Sequence, residues 1–505
     1  MGLFLNRYPY HSICSPCSPL RIALSEGMCY HLRYFHEAEK DRDMITRKDF
    51  IGGGVAMAAV PAFASAGGSK RRWFKGNLHC HTYWSDGRAF PDQTIKSYRD
   101  AGYDFCAITD HNRMGEDCDF WRKVVPEDNG RPLVVGRRNF DIYMKDFPWA
   151  ESREVNGATE VRIQTLTDLI KRYSKPGEFL IMRGVEITQA FPRDFVQHMH
   201  MNYVNLDAIP DEIAAARYIQ TIPDAASASE LVRAARRRVA ALAKSLNSPP
   251  HICFLNHPHW RYYDIVAQDV IDNPDVRFFE VCNNGSDFPT VGLLPDDGLY
   301  NDRLWDAVNA VRAKVGQPLL YAVANDDCHF YPCTKTEKPC TFGDAYTMVR
   351  ADELTPASLF AAMEKGDSYA SCGVNLEDVQ FDGKTLHVVV PAKDGVAYTV
   401  KFITTKRGAD TSVVQTVSIP EKDLHGWSGR PARTVPVYSP EIGATAKSVS
   451  GGKGERVAAE YNLATDDLYV RARVESDERA PYYALGGSGA LHPKVAMAWT
   501  QPYQF

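Results

Sequence analysis

The sequence predicts an α/β protein whose βα units build a parallel sheet or barrel, followed by a smaller β-rich domain. Two textures carry that expectation. From Lys75 onward, short apolar runs alternate with helix-period stretches, the pattern of strands joined by crossover helices. Beyond about Gly373 the pattern becomes apolar–polar alternation between Gly, Pro and Asp turns, which marks half-buried strands and suggests a β-sandwich.

The chain begins with a segment outside that scheme. Residues 44–66 read as a charged stretch, an apolar run from Gly52 to Ala64, and small residues at Ala62, Ala64 and Ala66, the parts of an export signal. The apolar run is shorter than the ~20 residues that span a bilayer. Thr46-Arg47-Lys48-Asp49-Phe50-Ile51 resembles a twin-arginine signal with Lys48 in place of the second arginine. An exported, periplasmic protein is expected; a genuine upstream extension masking the signal would keep it cytoplasmic. Residues 1–43 are taken as an unstructured extension, with translation starting at Met44. Their Cys14, Cys17, His31 and His36 are too irregularly spaced for a zinc knuckle. Met1-Gly2 lacks the Ser or Thr at position six of a myristoylation signal.

The first domain is expected over 67–373. A helix-like stretch Asp92–Ala101 stops at Gly102, and Phe105–Thr109 follows as a buried strand. The pattern recurs at Phe179–Val185, at Ile252–Asn256 after a helix Ser229–Ser245, at Val276–Asn283, and at Leu319–Asn325 after a helix Asn301–Lys314. Residues 114–175 are irregular and rich in Arg, Asp and Pro; they read as an insertion over the mouth of the barrel, with a helix near Thr165–Tyr173. In 374–505 the strands expected are Leu386–Val390, Tyr398–Thr404, Ser412–Ile419 and Leu468–Val474.

Composition narrows the chemistry. The 505 residues suit two or three domains, and 44% hydrophobic with 24% charged residues is ordinary for a globular chain. A net charge of -5 gives no general attraction to nucleic acid or anionic lipid. The basic run Arg233–Arg238 lies on an amphipathic helix and reads as a solvated face. Twelve scattered cysteines form no disulfide framework. Cys80, Cys106 and Cys253 read as small buried apolar residues, while Cys333 and Cys340 bracket a loop and can pair in an oxidising compartment.

The polar residues collect at strand ends, where α/β folds place their chemistry. His79 and His81 alternate on a strand, so they share a face and suit a divalent transition metal. Ser85-Asp86-Gly87 adds a carboxylate on the following turn. Thr109-Asp110-His111 ends the next strand. Glu186 sits in an apolar strand, where a carboxylate needs a nearby cation. His198 and His200 alternate before Asn202, His257-Pro258-His259 ends another strand, and Asp327 and His329 again share a face. Nine of the fifteen histidines fall between His79 and His329.

In order and spacing, His79-x-His81 with Ser85-Asp86-Gly87, Thr109-Asp110-His111, Gly184-x-Glu186, His257-Pro258 and Asp327-x-His329 resembles the PHP (polymerase and histidinol phosphatase) family over roughly 74–373. Within it the chain looks most like the branch containing carbaryl-type ester and carbamate hydrolases; Tyr369–Gly373 and Ala498–Pro502 point the same way. The resemblance implies a distorted (β/α)7 barrel holding two or three divalent metals (zinc, manganese or iron). It carries His79, His81, Asp86, His111, Glu186, His200, His257, Asp327 and His329 over as ligands, with Glu186 bridging two metals. His200 is preferred to His198 because His200-Met201-Asn202 matches the family's His-x-Asn run. Asp110 is expected to orient its neighbours by hydrogen bonding.

Hydrolysis of a small-molecule phosphate ester by metal-activated water is the leading expectation. His259 or His198 would protonate the leaving group. Arg261 is a candidate for gripping a substrate anion, with a surface ion pair as its other reading. Carboxylic ester or carbamate hydrolysis on the same metals is the runner-up. A non-catalytic metal- or glycan-binding exported protein is the third reading, disfavoured because no ligand position is missing.

Overall fold

A computed structural model describes residues 71–115, 120–128, 133–192, 196–216, 218–258, 264–283, 300–331, 342–419, 433–479 and 495–505. The export signal, Cys14, Cys17, His31, His36, His259, Arg261, Cys333 and Cys340 lie outside the described residues.

The protein is a mixed α/β structure. Strands Arg72–Asn77, Phe105–Ile108 and Leu180–Pro192 run parallel in adjacent positions, and Ile252–Leu255, Phe278–Asn283 and Tyr321–Asn325 form a second parallel set. Between the two sets lies Val196–Val204, antiparallel to both neighbours. The alternation of strands and helices predicts parallel neighbours; this strand departs from it. Only residues 193–195 separate it from the preceding strand, and a parallel return needs a crossover of a dozen or more residues. The far edges of the two sets meet: Cys80 and Cys328 form a parallel bridge, and the backbone N–H of Asp327 donates to His79 O at 3.0 Å.

Helices cover this sheet with one apolar face each. Ala228–Leu246 buries Leu231, Val232, Ala235, Val239 and Ala243 at helical spacing. Ser227 caps it through the N–H of Glu230, and Asn247 ends it in the left-handed region at φ 53°. The insertion is more ordered than its composition suggests. Besides the helix Leu166–Tyr173, capped by Thr165, it contains the helix Arg137–Asp146 and a four-stranded sheet. Its strands are short and charge-rich, Ser152–Val155 being wholly exposed, so no apolar alternation announces them. Arg122 from this sheet donates to the carbonyls of Tyr83 and Trp84 at 3.0 and 2.8 Å, gripping the loop that follows His81.

The C-terminal strands do not stand apart from the first sheet. Tyr346–Ala351 pairs with Arg72–Asn77, Ser368–Ser371 with it in turn, and Val495–Thr500 extends the same sheet to Asp467–Arg479 and Tyr398–Lys406. A second sheet of Asp378–Phe381, Thr385–Val390 and Val457–Asn462 packs on it through Val379, Leu386, Val388, Val400, Phe402 and Val470, giving two facing layers. No helix among the described residues is long and apolar enough to cross a membrane.

A buried ion cluster fastens the helix Tyr300–Lys314 to these strands. Arg471 grips Asp306 with two hydrogen bonds at 2.8 and 2.6 Å and reaches Asp302 at 2.8 Å, and Tyr469 donates to Asp306 at 2.8 Å. Gln501 accepts from the N–H of Ala322 and donates to its carbonyl, both at 2.8 Å. Arg471→Leu leaves buried Asp306 without its cation and Asp302 with Arg473 alone, at 3.4 Å. It is expected to lower unfolding stability by about 3–5 kcal/mol, read from chemical denaturation; a variant within 1 kcal/mol of wild type, roughly the scale of an exposed pair, would contradict that role.

Candidate metal centre

Each strand end delivers its side chains by simple alternation. His79 and His81 follow the strand Arg72–Asn77 and point to one side, while Cys80 packs in the apolar core. On the hairpin, Glu186 faces Asn202 and Thr188 faces His200, which sets Glu186, His200 and Asn202 on one surface. Asp327 adopts φ 48° and Asn112 φ 50°. The left-handed backbone at these strand ends turns the chain into the site, and Asp and Asn tolerate it.

Nine side chains converge. The groups His81/Asp86/His111/His329, His79/Glu186/His257, His79/His81/Asp327 and His111/Glu186/His200 each offer ligand atoms within 4.8 Å of one another. These are the nine residues named as ligands from the sequence. Glu186 is shared by two groups: its Oε1 lies 2.9 Å from His200 Nδ1, 3.4 Å from His79 Nε2 and 3.5 Å from His257 Nε2, and its Oε2 lies 3.4 Å from His81 Nε2. Asn256 donates to Oε1 at 2.7 Å. Oε2 is buried without a hydrogen bond although His111 Nδ1 is 2.7 Å away, for that nitrogen is aligned on the Thr188 hydroxyl at 2.6 Å. His81 Nδ1 is likewise buried and has no hydrogen bond. Buried acceptors of this kind are costly in a protein interior, and imidazole nitrogens beside carboxylate oxygens form a donor set suited to divalent transition metals. The residues therefore fit such ions.

The loop carrying Asp86 is held from below. Asp110 accepts from the N–H groups of Thr82 and Ser85 at 2.9 and 2.8 Å and from their hydroxyls at 2.7 and 2.5 Å. Burial nevertheless pushes its carboxyl up to about 6. Gly87 lets the loop fold back: a Cβ there would sit 2.4 Å from the backbone of His81 and Thr82, so no other residue fits without moving the loop. His198 lies beside the cluster, its Nδ1 3.5 Å from His200 Nε2.

Glu280 is a residue the sequence reading missed. It is fully buried in the strand Phe278–Asn283. His79 Nδ1 and Asn325 donate to its Oε1 at 2.8 and 2.9 Å; the N–H of His257 and the amide of Asn283 donate to Oε2 at 3.0 and 2.7 Å. A carboxylate can only accept, so His79 carries a proton on Nδ1, and Nε2, facing Glu186 and Asp327, is the nitrogen left for a metal; against burial, Asp327, Glu280 and Glu186 raise this imidazole well above its usual value. The signal was available: Glu280 is a lone carboxylate in an apolar strand, as Glu186 is.

The electrostatics divide the imidazoles. Burial, then the neighbouring His329 and His111, hold His81 down to about 3. Burial also brings His200 to about 4 against the pull of Glu186. At His329 burial is overridden by Asp86 and Asp327, which lift it to about 9. Glu186, Asp86 and Asp327 are themselves held well below the usual carboxylate range, against burial, by the surrounding histidines.

No protein-family profile matches the chain, and no curated protein matches it. Among solved structures, similarity is found to a two-domain protein from Bacteroides vulgatus with a domain predicted to be a PHP-like metal-dependent phosphoesterase: 14% identity, 83% of this chain and 95% of that one, TM-score 0.34. A protein from Bifidobacterium adolescentis described as a metal-dependent phosphoesterase is 13% identical over 52% of this chain and 90% of its own, with a TM-score of 0.25. An amidohydrolase from Chromobacterium violaceum is 14% identical over 50% and 87%, with a TM-score of 0.24. Likenesses at this level leave the chemistry to be read from this chain's own residues.

Two outcomes follow from the geometry. Glu280→Gln replaces one acceptor oxygen with a donor facing donors, and metal affinity is expected to fall about 10–100-fold, measured by titration of the metal-free chain; unchanged affinity would refute the tautomer assignment. A protonated imidazole cannot ligate. Below about 9, metal therefore displaces a proton from His329, and since His79 and His111 are raised as well, affinity rises with pH through neutrality. Calorimetric titration at pH 7 in buffers of different ionisation enthalpy is expected to show proton release; identical heats in all buffers would argue against it.

Proposed function

We propose that the protein is a metal-dependent hydrolase of small-molecule phosphate esters, working through two or three divalent ions. The single observation that carries this reading is the convergence of Asp86, Glu186, Asp327 and six histidines into overlapping ligand groups, with Glu186 common to two of them. The resemblance of their order and spacing to the PHP family supports the phosphoester as substrate. The two parallel strand sets joined at Cys80 and Cys328 support the reading of the first domain as a distorted (β/α)7 barrel. The signal-like residues 44–66 support action outside the cytoplasm.

In this reading His79, His81, His111, His200, His257, His329, Asp86, Glu186 and Asp327 hold the ions. Divalent ions so held acidify water and polarise an ester oxygen. The chain's own residues do the rest. Glu280 fixes the tautomer of His79, and Asp110 fixes the Thr82–Ser85 turn so that Asp86 reaches the cluster. Asn256 orients Glu186 through Oε1. His198, on the same strand face as His200, is placed to give a proton to the leaving oxygen.

Glu186→Gln removes the negative charge that two ligand groups share and is expected to abolish both metal retention and turnover. The check is metal content of the purified chain beside rates on a phosphomonoester, a phosphodiester, a carboxylic ester and a carbamate. Metals with phosphoester turnover in the wild type establish the proposal. Metals with ester or carbamate turnover alone replace the substrate class, and a wild-type chain inert after metal reconstitution rejects hydrolysis altogether.

A further inference from the structure

The ligand groups differ in how deeply they lie. In the group His81/Asp86/His111/His329 the His329 side chain keeps 28% of its surface and Asp86 11%, while Glu186 keeps 1% and His79 none. This outermost position depends on Asp86, which is carried by a loop rather than by a strand. Its Oδ1 faces His329 Nε2 at 3.4 Å, His111 Nε2 at 3.6 Å and His81 Nδ1 at 3.7 Å. Its other oxygen, Oδ2, accepts a hydrogen bond from the hydroxyl of Tyr218 at 2.8 Å.

Tyr218 lies between the short helix Asp211–Ala214 and the strand Gln220–Thr221, far in sequence from the loop it touches. Its ring stands edge-on to His111, with centroids 5.0 Å apart. Its carbonyl accepts from the Asn112 amide at 2.9 Å. Asn112 in turn donates to Thr188 O and accepts from Thr188 N, both at 3.0 Å. The phenol is thus anchored to the strand that bears Glu186 and to the residue after His111.

We propose that Tyr218 is the positioning residue for the outermost metal position: its hydroxyl holds Asp86 Oδ2 so that Oδ1 is presented to the ion shared with His81, His111 and His329. This rests on the metal-dependent reading above and deepens it. A phenol donating to one carboxylate oxygen restricts the rotation of that carboxylate and turns the other oxygen toward the imidazoles; the Ser85 hydroxyl also lies 3.2 Å from Oδ1, but its single proton has a closer acceptor in Asp110 at 2.5 Å. In the inner groups Glu280 orients His79 and Asn256 orients Glu186; Tyr218 meets them through its ring against His111, not through its hydroxyl.

The test is Tyr218→Phe, which keeps the ring against His111 and removes the hydroxyl. Wild type and variant are loaded with manganese(II) and equilibrated against graded chelator, and bound metal is counted by elemental analysis. The variant is expected to release one equivalent at about 10–100-fold weaker affinity, the usual effect of losing a hydrogen bond to a ligand, and to retain the remaining equivalents as wild type does. Asp86→Asn is expected to weaken the same equivalent, and the double variant to add little beyond it. Metal uptake by both chains with identical release curves overturns this proposal alone. So does uniform loss of every equivalent from Tyr218→Phe, which would mark a general structural role. A wild-type chain that binds no manganese or zinc overturns both this proposal and the reading beneath it.

Discussion

Four carboxylates, those of Asp86, Glu186, Glu280 and Asp327, are packed into one small region with little or no contact with water, and the rest of the molecule is arranged around that fact. Each buried anion carries a desolvation penalty of several kcal/mol, and neighbours of like charge add to it. Positive charge must be supplied in place, by protons on imidazoles or by bound cations. The same pocket holds His81 near 3 and lifts His329 to about 9. At His329 two carboxylates outweigh burial and keep the proton, while at His81 burial and two neighbouring imidazoles expel it. Divalent cations held among the overlapping groups would supply that charge without protonating the ligand nitrogens.

Much of this was legible in the sequence, because alternation on strands is a strict rule. His79 and His81, or Asp327 and His329, must share a face once their strands are recognised, and the helices at 92–101, 229–245 and 301–314 fall within a residue or two of their observed limits. What escaped were features without a local signature. The direction of Val196–Val204 is decided by the length of the connection before it. The insertion's small sheet is built from strands whose charges obscure their period. Tyr218 meets Asp86 only when residues distant in the chain are brought together, whereas Glu280, a lone carboxylate in an apolar strand, carries the same local signal as Glu186. Arg261 and His259, expected beside the site, fall outside the described residues.

The insertion and the C-terminal layers each hold a segment that leads to the centre. Arg122 and Asn139 of the insertion bind the carbonyls of Tyr83, Trp84 and Arg88, which flank Asp86. From the C-terminal layers, Gln501 holds both backbone groups of Ala322, in the strand that leads to Asp327. Among the described residues neither region contributes to the ligand groups. Their contribution is to remove freedom from loops that would otherwise let anions drift apart.

That continuity of the sheet has a consequence for how the protein comes to exist. The strand before His79 pairs with Tyr346–Ala351, and two further pairings lead to Val495–Thr500. Contacts so distant along the chain close late, since loop closure must precede any gain from them. During synthesis the histidines nearest the start emerge long before the strands that buttress them. For that interval the ligands exist as an incomplete, exposed set. Any selectivity among ions would therefore be a property of the finished sheet and not of the nascent chain.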